Sequence, residues 1–109
     1  MAFDAALADV MRDDLAHLEG LKEVRMFGGI CFMHHGHMLC GIHKDGALYR
    51  VGKERYAAAL ALEGVEEMTM TGRPMGGLVD ADVDAMADDD LRQTLLSMAL
   101  EFTASLPAK

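Results

Sequence analysis

The sequence contains no tryptophan and no asparagine, and only two serines, two cysteines and two prolines among 109 residues. Ser97 and Ser105 both fall in a predicted C-terminal helix, which excludes a serine nucleophile on a sharp strand-to-helix turn. Glycine motifs of the phosphate-binding and dinucleotide-binding kinds are also absent from the sequence. We therefore expect no enzymatic activity, no catalytic residues and no cofactor.

Basic side chains are scarce. Ten Lys and Arg face eighteen Asp and Glu, for a net charge of −8, and residues 56–109 alone carry a net −7. Proteins bind nucleic-acid backbones with basic faces that release counterions, and this composition does not supply such a face. We expect no direct nucleic-acid binding. The acidity suits solubility or contact with a basic protein partner.

Signals for membranes and secretion are missing as well. No apolar run approaches the roughly 20 residues that span a bilayer, and residues 1–4 lack the basic and apolar regions of a signal peptide. We expect a cytoplasmic protein without membrane contact. Since 51% of its residues are hydrophobic, the chain is expected to bury one core and to form a single domain, residues 1–109.

Apolar residues at three- and four-residue steps predict three helices. The first covers residues 3–18, the second residues 53–62, and the third begins near residue 91. Asp88, Asp89 and Asp90 are expected to cap the third helix and to place favourable negative charge at its start.

Apolar-rich runs between turn residues predict five strands. The turns are His35-Gly36 and Asp45-Gly46, the second being a strong hairpin signal. The predicted strands cover residues 24–33, 38–43, 47–51, 65–70 and 76–79. The resulting order is α-β-β-β-α-β-β-α, an α+β fold in which helices pack against an antiparallel sheet.

Two cysteines and four histidines lie within residues 31–43. With His35-Gly36 as the turn, His34 pairs with His37 and Cys31 pairs with Cys40, so alternation places the thiols and these imidazoles on opposite faces. One tetrahedral metal site is then impossible, and we expect no bound metal. Weak metal binding by His34 and His37 alone remains an alternative. A redox-active pair of Cys31 and Cys40 is another, since this register brings the two thiols within disulfide range. In a reducing cytosol we expect two buried thiols.

The same register places Phe32, Leu39 and Leu48 on the second face of the sheet. If helices cover only the other face, these three side chains form an exposed apolar patch. Patches of this kind contact another protein, often a second copy of the same chain. We therefore expect Phe32, Leu39 and Leu48 to form the interface of a homodimer.

Three short motifs, in a fixed order, resemble one family. They are Arg25-Met26-Phe27-Gly28-Gly29, Asp45-Gly46-Ala47-Leu48-Tyr49 and Gly72-Arg73-Pro74-Met75-Gly76-Gly77. Together they are similar to the N-terminal domain of the TfoX/Sxy competence regulators and their stand-alone relatives, over residues 5–106.

The resemblance implies a secretion-chaperone-like arrangement of the α-β-β-β-α-β-β-α elements and self-association. It also implies a non-enzymatic role in regulating competence or other transcription, through contacts with a protein partner such as the transcription machinery. The alternative function is a metal- or redox-responsive sensor that uses Cys31, Cys40, His34 and His37.

Overall fold

Six strands and four helices are formed within residues 5–26, 29–43, 46–70 and 73–106, the parts of the chain that the structure, a computed structural model, describes. In chain order the elements are α1 (Ala5–Leu15), β1 (Leu21–Met26), β2 (Gly29–His34), β3 (His37–His43), β4 (Gly46–Arg50), α2 (Gly52–Leu60), β5 (Val65–Met70), β6 (Arg73–Asp82), α3 (Val83–Met86) and α4 (Asp89–Ala104). The α+β class predicted from the sequence is confirmed.

The six strands form one antiparallel sheet in the order β1-β2-β3-β4-β6-β5. Neighbours in sequence are neighbours in the sheet until β4, after which α2 carries the chain to β5 at the far edge. Strand β6 then returns between β4 and β5 and pairs with both.

Four strands precede α2, where the sequence predicted three. The apolar run over residues 24–33 belongs to two antiparallel strands, since Met26 pairs with Gly29 and Val24 pairs with Cys31. At Gly29 a Cβ atom would overlap the carbonyl oxygen of Ile42, so close strand approach requires glycine there. The hydrophobic run continues across both strands, which is why the pattern alone merged them.

The acidic stretch before the last helix supplies two helix caps. The Asp82 carboxylate accepts a hydrogen bond from the backbone N–H of Ala85 and caps the short helix α3, which the sequence did not predict. The Asp88 carboxylate accepts from the backbone N–H groups of Asp90 and Leu91, which confirms the predicted cap of α4.

One hydrophobic core lies between the helices and a single face of the sheet. The strands contribute alternate residues to it, with Ile30 and Phe32 from β2 and Tyr49 from β4 among them. All four helices contribute to the same cluster. The residues are Leu7, Met11 and Leu15 from α1, Ala59 from α2, Ala85 and Met86 from α3, and Leu95, Leu96 and Ala99 from α4. The helices therefore cover one face of the sheet.

A bulge in the β2–β3 hairpin sets which residues reach that core. His34 pairs with His37 and Met33 with Met38, as predicted, but Phe32 pairs with Cys40. Leu39 is the extra residue of β3, and both Leu39 and Cys40 are 0% exposed on the core side. Because a shift of one residue exchanges the two faces of a strand, every β2 residue points opposite to the predicted direction.

The predicted Cys31–Cys40 pair is therefore wrong. Cys31 pairs with Gly41, and its side chain lies on the face opposite to Cys40, which belongs to the core. Both cysteines are free thiols. Burial raises the pKa of each thiol above its ordinary value, most strongly for Cys40. Neither is an activated thiolate, and side chains on opposite faces of a hairpin cannot be bridged without backbone movement.

A partly buried arginine joins three helical segments at one end of the core. Arg92 Nε donates to Asp14 Oδ2 at 2.9 Å, and its other nitrogens donate to the carbonyl oxygen of Met86 at 2.9 Å and to Asp89 Oδ1 at 2.6 Å. The Arg92 and Asp14 side chains are only 11% and 12% exposed. The pair is thus poorly screened by solvent, and loss of one partner leaves a desolvated charge.

The substitution Arg92→Met should lower the free energy of unfolding by about 2 kcal/mol or more, because Asp14 would lose its charged partner. The matched control is Arg55→Met, which breaks the exposed Arg55–Glu101 pair and should cost less than about 1 kcal/mol. Urea unfolding of both variants measures the difference. Equal losses in the two variants would contradict the structural role of Arg92.

The two thiols should remain reduced and separate. We expect the native protein to react slowly with Ellman's reagent, since burial raises both thiol pKa values, and we expect both thiols to react after unfolding. In Cys31→Ser, the remaining Cys40 should react only in denaturant. An intramolecular disulfide after air oxidation, seen as loss of both thiols from monomeric denatured protein, would contradict the observed register.

Candidate functional site: the open face of the sheet

The face of the sheet that no helix of the described residues covers carries a group of apolar side chains. This open face consists of Val24, Cys31, Met33, Met38, Leu48 and Leu78. Cys31 is buried and the other five are half-buried, although none belongs to the core cluster or packs against it. The strand pairings place them together, since Val24 pairs with Cys31, Met33 with Met38, and Leu48 with Gly41.

A glycine lies at the centre of the open face. Gly41 stands between Cys31 on β2 and Leu48 on β4, and a Cβ atom there would come within 2.6 Å of the Ile30 carbonyl oxygen and 3.5 Å of Cys31 Sγ. Any larger residue would push β2 away. Because Gly41 has no side chain, its cross-strand neighbours Cys31 and Leu48 are the apolar groups nearest the centre of the open face.

One polar pair borders the apolar group. His43 Nε2 lies 2.6 Å from Asp80 Oδ1, with the two side chains 23% and 31% exposed. Asp80 is paired with Leu48 across β4 and β6, so this contact spans β4 beside Leu48. No local sequence signal predicts this contact, because Asp80 comes 37 residues after His43 and only the insertion of β6 beside β4 brings them together.

Two of the three predicted interface residues are buried in the core. Phe32 is 1% exposed and Leu39 is 0% exposed, so the prediction of an exposed patch at these positions is wrong. The cause is the bulge, which turns Phe32 and Leu39 toward the helices. Leu48 is on the open face as predicted. Val24, Met33, Met38 and Leu78 were not predicted there, and a register with the bulge at Leu39 would have identified the two methionines.

Three histidines, His34, His35 and His37, lie at the β2–β3 turn. Because Cys31 and Cys40 lie on opposite faces of the hairpin, the prediction that both thiols lie on the face opposite to the imidazoles is wrong. Burial, and next the neighbouring His35, lowers the pKa of His34, and the His34 and His35 rings lie 4.2 Å apart between centroids. His34 and His37 are cross-strand neighbours. Within the described ranges no group of three or more His, Cys, Asp or Glu side chains is arranged to hold a metal ion.

The motif Arg25-Met26-Phe27-Gly28-Gly29 lies at the junction of β1 and β2. Phe27, Gly28 and the side chain of Met26 fall outside the described residues. Arg25 is exposed, and Gly29 is buried where β2 approaches β3. Within the described part of the motif, Gly29 therefore serves strand packing.

The model of the TfoX N-terminal domain family matches residues 13–103. No curated protein and no solved structure matches the chain. Among the residues that the structure describes, no helix is both long and apolar enough to cross a membrane. The matched stretch includes all six strands and most of the helical residues. Because it covers most of the chain, the protein belongs to the TfoX N-terminal domain family.

Proposed function

We propose that this protein is a non-enzymatic regulatory or adaptor domain of the TfoX type, which acts in the cytoplasm through protein–protein contacts to regulate competence or other transcription. The observation that supports this proposal best is the open face of the sheet. Contiguous apolar side chains on a sheet face that no helix of the described residues covers are typical of interaction surfaces. Membership of the TfoX N-terminal domain family supports the regulatory role.

A second copy of this chain is the occupant we propose for the open face. The five strands that carry the open face are spaced by about 4.8 Å and rise about 3.3 Å per residue, so a stretch about six residues long measures about 24 Å by 20 Å and offers roughly 500 Å² per copy. A standard interface buries about 800 Å² per partner. Two copies of net charge −8 also repel each other. The homodimer should therefore be weak and should tighten with added salt, which screens that repulsion.

The acidic charge also favours a basic protein partner for the dimer. Residues 56–109 carry most of the net charge, and this half includes the exposed carboxylates of β5 and of the α3–α4 region, Glu66, Glu67, Asp84, Asp88, Asp89 and Asp90. A basic surface would be attracted to them over a Debye length of about 8 Å at physiological salt. A component of the transcription machinery is the partner we propose, with no direct contact to nucleic acid.

The sensor alternative gains no support from the structure. Cys31 and Cys40 lie on opposite faces, and the His34–His37 pair has no third ligand within the described residues that would complete a metal group.

The substitution Leu48→Glu should abolish self-association, because it places a charge at the centre of the open face. Val83→Glu is the matched control, since Val83 is 50% exposed and lies outside this face. Sedimentation equilibrium over a range of concentrations measures both, with circular dichroism to verify folding. A wild-type protein that stays monomeric throughout, or a Leu48→Glu variant that associates as the wild type does, would contradict the homodimer.

The regulatory role should depend on the same face. In a host from which the gene has been deleted, the wild type and Val83→Glu should restore the transcript profile, and Leu48→Glu should not. Full restoration by folded Leu48→Glu protein at equal abundance would show that the open face is not the working surface. An unchanged transcript profile after deletion would contradict the regulatory proposal itself.

A further inference from the structure

A cleft lies where β4 ends, α2 begins and α4 ends. Its volume is about 560 Å³, and Arg50, Lys53, Glu54 and Arg55 from the β4–α2 segment line it together with Glu101 and Phe102 from α4. This volume is in the range of pockets that bind small molecules. The proposed regulatory function does not use the cleft.

The lining is unusually basic for this chain. Three of the ten basic residues line this one cleft, in a protein whose net charge is −8. One of the three is already neutralised, because the Arg55 guanidinium donates to Glu101 Oε2 at 2.8 Å. Arg50 and Lys53 remain, against the single carboxylate of Glu54.

Arg50 is held in place without a carboxylate. Its guanidinium carbon lies 5.0 Å from the centroid of the Phe102 ring, and the side chain is half-buried. Arg12 and Arg92 are each bonded to two carboxylates, whereas neither Arg50 nor Lys53 forms an ion pair with any residue in the described ranges. Stacking on an aromatic ring orients a guanidinium and leaves its N–H groups available to an anion.

The backbone beside Arg50 adds to the attraction for an anion. Helix α2 begins without a side-chain cap, since the residue before it is Val51, and the backbone N–H groups of a first helical turn carry partial positive charge. At Gly52 any Cβ atom would overlap the Phe102 ring. The glycine thus lets the ring and Arg50 lie against the start of the helix.

We propose that this cleft binds a small molecule through a phosphate group, with Arg50 and Lys53 as its charged ligands. Guanidinium and ammonium groups are common phosphate ligands in proteins, and a phosphate dianion gains more from two cations in one cleft than a carboxylate does. The cavity is much larger than a phosphate ion, so the ligand carries an organic portion.

Titration with phenyl phosphate, followed by amide chemical shifts at constant ionic strength, tests the proposal. We expect saturable shifts at Arg50, Lys53 and Gly52, and weaker binding of inorganic phosphate and of benzoate. Arg50→Gln should weaken binding at least tenfold, and Lys53→Gln, at an exposed position, at least threefold without disturbing Phe102. Glu54→Gln should tighten binding, because it removes a carboxylate from the lining. Lys22→Gln, on the edge strand β1, is the control and should change nothing.

Several results would overturn the proposal. They are the absence of saturation up to about 10 mM phenyl phosphate, equal effects of Arg50→Gln and Lys22→Gln, and weaker binding by Glu54→Gln. Tighter binding of a duplex oligonucleotide to the same residues would also overturn it, because the site would then serve nucleic acid. None of these results bears on self-association, so the homodimer is tested separately.

Discussion

Leu39 is the extra residue of the bulge opposite Phe32, and the division of this sheet into a buried and an open face depends on it. Because of the bulge, Ile30 and Phe32 align with Ile42 and Cys40 and join the core. Without it, Cys31 and Met33 would point inward, and Ile30 and Phe32 would be exposed. Ile30 and Phe32 are larger apolar side chains than Cys31 and Met33, so the observed register is favoured by the difference in apolar area buried, at about 25 cal/mol per Å².

The consequences of that register extend to both proposed sites. The open face exists because all four helices pack on the side where Phe32, Tyr49 and their neighbours point. Arg92 ties helix α4 to helix α1 through its ion pair with Asp14, and it also pairs with Asp89 at the start of α4. The cleft at Arg50 lies where strand β4 leaves the sheet and α2 begins beside α4, so the same packing that closes the core also brings Phe102 beneath the guanidinium. The proposed protein-binding surface and the proposed anion-binding cleft thus share one scaffold.

Much of the fold follows from local patterns in the sequence. Helices α1, α2 and α4, the turn at His35-Gly36 and the Asp88 cap depend on nearest neighbours along the chain, and the α+β class and family follow from the order of such elements. Asp45 of the predicted Asp45-Gly46 turn lies outside the described residues, and Gly46 belongs to β4. Two features of the sheet do not follow from local sequence patterns. The junction of β1 and β2 lies within a continuous apolar run, and the bulge at Leu39 leaves no signature in hydrophobicity, because Phe32, Leu39 and Cys40 are all apolar. Counting from the turn therefore placed Phe32 and Leu39 on the wrong face and paired the two cysteines. The His43–Asp80 contact and the Arg50 cleft depend on tertiary packing between segments distant in the chain.

Methionine oxidation tests the assignment of the two faces most directly. Met33 and Met38 lie on the open face, whereas Met11 and Met86 are each 1% exposed in the core. Dilute peroxide treatment of the monomer, with oxidation of each methionine followed by mass spectrometry, should convert Met33 and Met38 to the sulfoxide well before Met11 and Met86. Protection of Met33 and Met38 equal to that of the two core methionines would contradict the bulge, the open face and the proposed function that depends on it.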